Sequence, residues 1–175
     1  MFGLRKRQQK FQNLFDQCVA LTDEAFSQLI LSAYNERDLI KEGDILYEFD
    51  NTYMTYVEGK IPSRGNSWEG KKALYMALNL SDKHWVAVKV DLRACKLFVF
   101  DCNISAYTDS QMDIFMKPLC TMIPILLEQN EKFSNIRERL QCSWPFERLQ
   151  GLPQNLRLVR IESSNFYLIL FILTK

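Results

Sequence analysis

The fold class that this sequence predicts is α+β, in a single domain, and three observations predict it. A chain of 175 residues fits the usual ~100–200 residues of one domain. A composition that is 47% hydrophobic and 13% aromatic suffices to bury a core. The apolar residues also change period along the chain, from helical spacing to strict alternation and back, so strands lie between helical segments. The arrangement implied is a central sheet flanked by helices, with the strand order left open.

The elements follow in order. Residues 22–34, TDEAFSQLILSAY, read as a helix with Thr22 as N-cap and Phe26, Leu29, Ile30 and Ala33 along one stripe. The polar NERDLIKEGD leads to YVEGKIPSRGNSWEGKK, where Gly, Pro and Ser mark turns. Residues 73–80, ALYMALNL, form a strand entering a hairpin. Val86, Val88, Val90 and Leu92 then alternate with Trp85, Ala87, Lys89 and Asp91, the period of a strand. The next run, KLFVF at 96–100, is apolar at nearly every position, as in a strand covered on both faces. Past Asp101, Met112, Phe115, Met116, Leu119, Ile123 and Leu126 or Leu127 keep helical spacing, with a cap expected within residues 108–110. Pro118 and Pro124 should kink or divide that helix. A charged connector and an apolar terminus complete the chain.

Composition excludes several classes of function. Lys and Arg number 22 against 21 Asp and Glu, a net charge of +1, without the basic excess of a nucleic-acid footprint. The basic start MFGLRKRQQK reads as a solvated end. No apolar region follows it, so no secretory signal is expected. The longest apolar run, at 166–173, falls far short of the ~20 residues that cross a bilayer, and no membrane partner is expected. Five cysteines, an odd number without C-x-x-C spacing, point to reduced thiols. Cys95, Cys102, Cys120 and Cys142 lack paired ligand spacing and there is one histidine, so neither a metal nor another cofactor is expected.

That histidine starts the strand at 84, and Asp101 ends the next one. Between the strands, D-L-R-A is short and polar enough for a hairpin turn. A turn symmetric about Leu92 and Arg93 sets Val90 opposite Cys95, Val88 opposite Leu97, Val86 opposite Val99 and His84 opposite Asp101. Directly opposed Cβ atoms lie ~4.5–5.5 Å apart, within reach of a hydrogen bond. A carboxylate on one ring nitrogen fixes the tautomer and leaves the other nitrogen to take a proton from a thiol or hydroxyl. From spacing alone, an edge histidine with an acidic neighbour is the simpler account.

The residues around the pair carry a resemblance. K-H-W-V-A-V-K-V-D-L at 83–92, F-V-F-D at 98–101, the upstream Trp68, M-I-P-I-L-L at 122–127 and L-P-Q-N at 152–155 together resemble the ubiquitin-like-protease family. These are cysteine peptidases that process and remove SUMO-type modifiers, and the likeness is to a divergent branch often carried by mobile elements. It is strongest over residues 53–155 and implies one peptidase domain over 1–175, incomplete at its C-terminus, with a central mostly antiparallel sheet flanked by helices. By position it implies His84 as general base, Asp101 as its orienting partner and Gln154 as donor to the oxyanion. Loss of one such donor typically costs ~10²–10³ in rate. Trp85 would pack behind the histidine and line the channel for the modifier's Gly-Gly tail, and Trp68 would be a further substrate-binding residue. The implied partner is a ubiquitin-like modifier or its conjugates, and the implied location is intracellular, nuclear or cytoplasmic.

The nucleophile breaks the pattern. In the family, a cysteine followed by glycine and an apolar helix lies shortly after the glutamine, a position that falls near Arg160 here, and no cysteine occurs after Cys142. Three accounts stay open. Ser163 or Ser164 would be a replacement, though spaced too far from Gln154 and without an easily formed thiolate. Cys102 or Cys142 would be recruited from elsewhere, although Cys102 points away from the Asp101 face. Otherwise the nucleophile is lost and the chain is inactive or a non-catalytic modifier binder. A reading-frame shift is one route to loss, because synonymous codons for residues 156–161 exist that, read one base later, spell S-D-W-C-G.

Overall fold

Alternation and helical spacing turn into elements in the predicted order, with one short helix and two three-residue strands more than the periodicity revealed. The computed structural model describes residues 6, 10, 16–39, 47–63, 65–136 and 143–152. Among these, β1 (Val19–Leu21) leads into α1 (Glu24–Leu39) and the short α2 (Asn51–Val57). β2 (Ala73–Leu80), β3 (His84–Asp91) and β4 (Lys96–Phe100) follow as a meander, then α3 (Asp109–Glu128) and β5 (Phe146–Arg148). The sheet runs in the order β1-β2-β3-β4-β5. Its long central ladders, β2 with β3 and β3 with β4, are antiparallel, while the three-residue edge ladders of β1 and β5 are parallel. The α+β class is therefore observed, with a sheet that is antiparallel at its centre and parallel at both edges.

One face of this sheet makes the core. Leu74, Met76 and Leu78 of β2, Val86, Val88 and Val90 of β3, and Leu97 and Val99 of β4 join Phe26, Ile30 and Ala33 of α1. Met112, Met116, Leu119, Ile123 and Leu126 of α3 complete the cluster. Each large apolar side chain removed from water contributes about 1.5–3 kcal/mol, which is why the helical stripes face the sheet. Among the described residues no helix is long and apolar enough to cross a membrane.

Four sequence expectations are corrected in detail. Thr22 does not cap α1: its backbone N–H donates to Tyr75 O at 2.9 Å, extending the β1–β2 pairing. Instead Asp23 supplies the cap, its carboxylate accepting from Phe26 N at 3.2 Å. The strand β4 is buried on one face only; Leu97 and Val99 are inside, whereas Phe98 is half-exposed with Lys89 Nζ at 5.3 Å and Lys96 Nζ at 5.2 Å from its ring centre. Pro118 and Pro124 do not divide α3, which runs unbroken from a capping box at Thr108 and Gln111 to Glu128. A proline inside a helix costs ~3 kcal/mol, and α3 offsets that by burying both prolines among the ten buried residues of its inner face.

The hairpin register is the fourth. The β3–β4 connection takes four residues rather than two, because the Asp91 carboxylate accepts from Arg93 N at 3.1 Å and Ala94 N at 2.9 Å, and Cys95 closes the turn at φ +52°. Asp91 consequently pairs with Lys96, Val90 with Leu97 and Val88 with Val99. Every pair is displaced by two residues from the symmetric turn. A slip of one residue would have turned each side chain to the other face; a slip of two keeps every one on its face.

Candidate active site

The site begins with a tight reversal. Leu80 pairs with His84 across only residues 81–83, and both Ser81 (φ 53°) and Asp82 (φ 57°) take the left-handed conformation that non-glycine residues seldom adopt. Lys83 N donates to Leu80 O at 3.1 Å and Asn79 Nδ2 to Asp82 Oδ1 at 3.2 Å, holding the turn. His84 is thereby pinned as the first residue of β3. Asp101 is the residue immediately after β4, where the chain leaves the ladder. In the observed register Asn103, not Asp101, would stand opposite His84, so the pair meets on the diagonal. A diagonal neighbour is still within reach of an aromatic side chain. His84 Nε2 lies 2.7 Å from Asp101 Oδ1.

Asp101 is wholly buried, and its oxygens are engaged on both sides. Oδ1 accepts from His84 Nε2 and from Asn103 N at 2.8 Å; Oδ2 accepts from Arg148 Nη2 at 2.6 Å and Nε at 3.1 Å. Burial by itself would raise the carboxyl pKa. The hydrogen bonds from His84, Asn103 and Arg148 outweigh it and hold the group down at about 2. Asp101 is thus a carboxylate at neutral pH and can only accept, so Nε2 carries a proton and Nδ1 of a neutral ring keeps its lone pair. An imidazole fixed in this way can take a proton at Nδ1 from a thiol or hydroxyl.

Tyr107 walls the imidazole. Its ring lies 6.2 Å from that of His84 and stands edge-on to Phe115 at 5.0 Å, while its hydroxyl donates to Leu80 O at 3.1 Å. Leu80 is the strand partner of His84, so this bond ties the wall to the reversal. The half-buried His84 side chain remains 13% exposed.

The other expected site residues fall elsewhere. Trp85, next along β3 and paired with Asn79, is half-buried on the opposite face of the strand from His84. Trp68 is a core residue: its ring packs edge-on against Phe26 at 5.2 Å and its backbone N–H donates to Val57 O. It sits there because Gly59, at φ +74°, lets the chain after α2 fold back so closely that a Cβ would lie 2.2 Å from Ser67 N. Gln154, Arg160, Ser163, Ser164, Cys142 and the apolar run at 166–173 lie outside the described residues.

Two of the described thiols, Cys102 and Cys120, lack the surroundings of a nucleophile. Cys102 is buried directly after Asp101, and burial together with that negative charge raises its pKa. Burial, only partly offset by a backbone hydrogen bond, pushes the Cys120 thiol up to about 12. Both are therefore protonated at neutral pH, the opposite of the lowered pKa a reactive cysteine needs.

Arg148 is the site residue that sequence reasoning missed. It lies in CSWPFERLQGLPQN, at the end of a three-residue strand, 47 positions from Asp101. Neither periodicity nor a motif distinguishes it from the chain's other basic residues. Its burial is the signal, since arginine is almost never buried without a partner, and only the parallel β4–β5 pairing reveals it.

A family model described as the Ulp1 protease family, C-terminal catalytic domain, matches residues 6–159, most of the chain. Comparison with curated proteins and with solved structures gave no match.

Proposed function

The chain belongs to the Ulp1 protease family, cysteine peptidases that act on ubiquitin-like modifiers, and on that premise we propose that it keeps the family's base and carboxylate in His84 and Asp101 but lacks the nucleophile. The observation that carries this reading is the 2.7 Å contact from His84 Nε2 to a buried, ionised Asp101, which leaves Nδ1 as the basic atom. In this reading Gln154 is the oxyanion donor, and no cysteine follows it in the sequence to form the thiolate that Nδ1 would deprotonate. Without that sulfur there is no acyl-enzyme, and what an oxyanion donor and binding surface retain is at best a small remnant of catalysis. The chain then hydrolyses nothing by the thiol route.

The test is incubation of the purified chain with a ubiquitin-like modifier carrying a C-terminal propargylamide, read by intact mass. No adduct on a folded sample is expected. A covalent adduct overturns the reading, and peptide mapping would name the thiol.

A second reading, recognition of the modifier without cleavage, is favoured by the intact histidine–carboxylate pair together with the half-buried Trp85, next to His84 in the chain and on the other face of β3. It expects labelled SUMO-type modifier to bind, and binding to fall on Trp85→Ala but not on thiol alkylation. Absence of binding to any modifier would remove it.

A further inference from the structure

We propose that Arg148 is a positioning residue for the histidine–aspartate pair, orienting the Asp101 carboxylate so that Oδ1 is presented to His84 Nε2. The inference rests on the reading of His84 and Asp101 as the functional pair. Its argument is a count of donors. A guanidinium has five N–H groups in a rigid plane. In Arg148, Nε donates to Asp101 Oδ2, Nη2 to Asp101 Oδ2 and Ile104 O, and Nη1 to Tyr107 O and Asp109 Oδ1. All five are used.

Two consequences follow from that saturation. Beside Arg148 opens a cavity of about 230 Å³ lined by Asp109, Met112, Phe146, Arg148 and Gln150. An arginine lining a cavity suggests an anion site, but with no donor to spare this one has nothing to offer a phosphate or carboxylate. Its role is internal. The second consequence concerns the carboxylate. A carboxylate bonded only through Oδ1 could rotate about its Cβ–Cγ bond; two N–H groups on Oδ2 and two on Oδ1 remove that freedom. The same guanidinium holds the carbonyls of Ile104 and Tyr107, and Tyr107 is the wall of the imidazole. One side chain on β5 thus fixes the acceptor, the loop after β4 and the wall together. Lysine cannot substitute, since a tetrahedral ammonium has three donors and no plane to match a carboxylate.

The experiment uses the full chain labelled with ¹⁵N. It has one histidine, so every imidazole signal belongs to His84. The unaltered chain should show an Nε2-bound proton at low field and protected from solvent. Arg148→Met and Arg148→Lys should both lose it, or exchange it at least about tenfold faster, while the backbone spectrum stays folded. Asp101→Asn is measured alongside. If the unaltered chain lacks the protected proton, or Asp101→Asn leaves it unchanged, the reading of the pair fails and the proposal with it. If Asp101→Asn abolishes the proton but both Arg148 variants retain it, the pair stands and the positioning role is refuted. Should Arg148→Met not fold, Arg148→Lys is read alone; failure of both to fold makes Arg148 a stability residue and likewise refutes the proposal.

Discussion

Protonating Asp101 should cost this fold stability in a narrow acid window. The carboxyl stands at about 2 in the folded chain against an ordinary 3.8, so the unfolded chain takes up the proton first as pH falls. A depressed folded value contributes stability that is fully present above the unfolded value and is lost as pH drops through the folded one. The window is therefore from about pH 4 down to about 2. At 1.36 kcal/mol for each pH unit between the two values, the contribution is about 2 kcal/mol. The carboxylate is wholly buried, so solvent does not screen this figure. The assay is urea unfolding of the unaltered chain and of Asp101→Asn at a series of pH values from 5 to about 2. Other carboxylates titrate in both proteins and cancel in the difference. The unaltered chain should lose about 2 kcal/mol more than the variant across that window, even though the variant starts lower. Its deficit at neutral pH should reach about 3 kcal/mol, because Arg148 loses its buried counter-charge and keeps only the exposed Asp109 carboxylate. Parallel stability curves over the window would refute the reasoning, since they would mean that Asp101 binds protons alike in both states.

The buried thiols give a second test: Cys102 and Cys120 should resist iodoacetamide at neutral pH in the native chain and react once it is unfolded. Fast native alkylation mapped to Cys102 would contradict its raised pKa and reopen it as a nucleophile. Thr108→Ala removes the N-cap of α3, where the hydroxyl accepts from Gln111 N, and should lower stability by ~1 kcal/mol in denaturant unfolding. A change below a few tenths would mean that the cap adds nothing to a helix already held by its buried face.

What the sequence determined by itself is local and periodic. Strands at 73–80, 84–91 and 96–100 and the long helix after residue 108 follow from repeats of two and of three to four residues, which depend only on neighbours a few positions away. Even the meeting of His84 with Asp101 was legible, because a face depends on parity and parity survived a register wrong by two. Tertiary structure decided everything that needed distant partners. The Asp91 hydrogen bonds set the turn length, the β1–β2 pairing claimed Thr22 and passed the helix cap to Asp23, and a glycine-permitted fold-back drew Trp68 into the core. Arg148 is the clearest case. Its five hydrogen bonds go to acceptors on four residues 39 to 47 positions earlier in the chain, a spacing that no local pattern encodes. Burial then makes their number matter, since each donor withdrawn from water must find an acceptor in the protein.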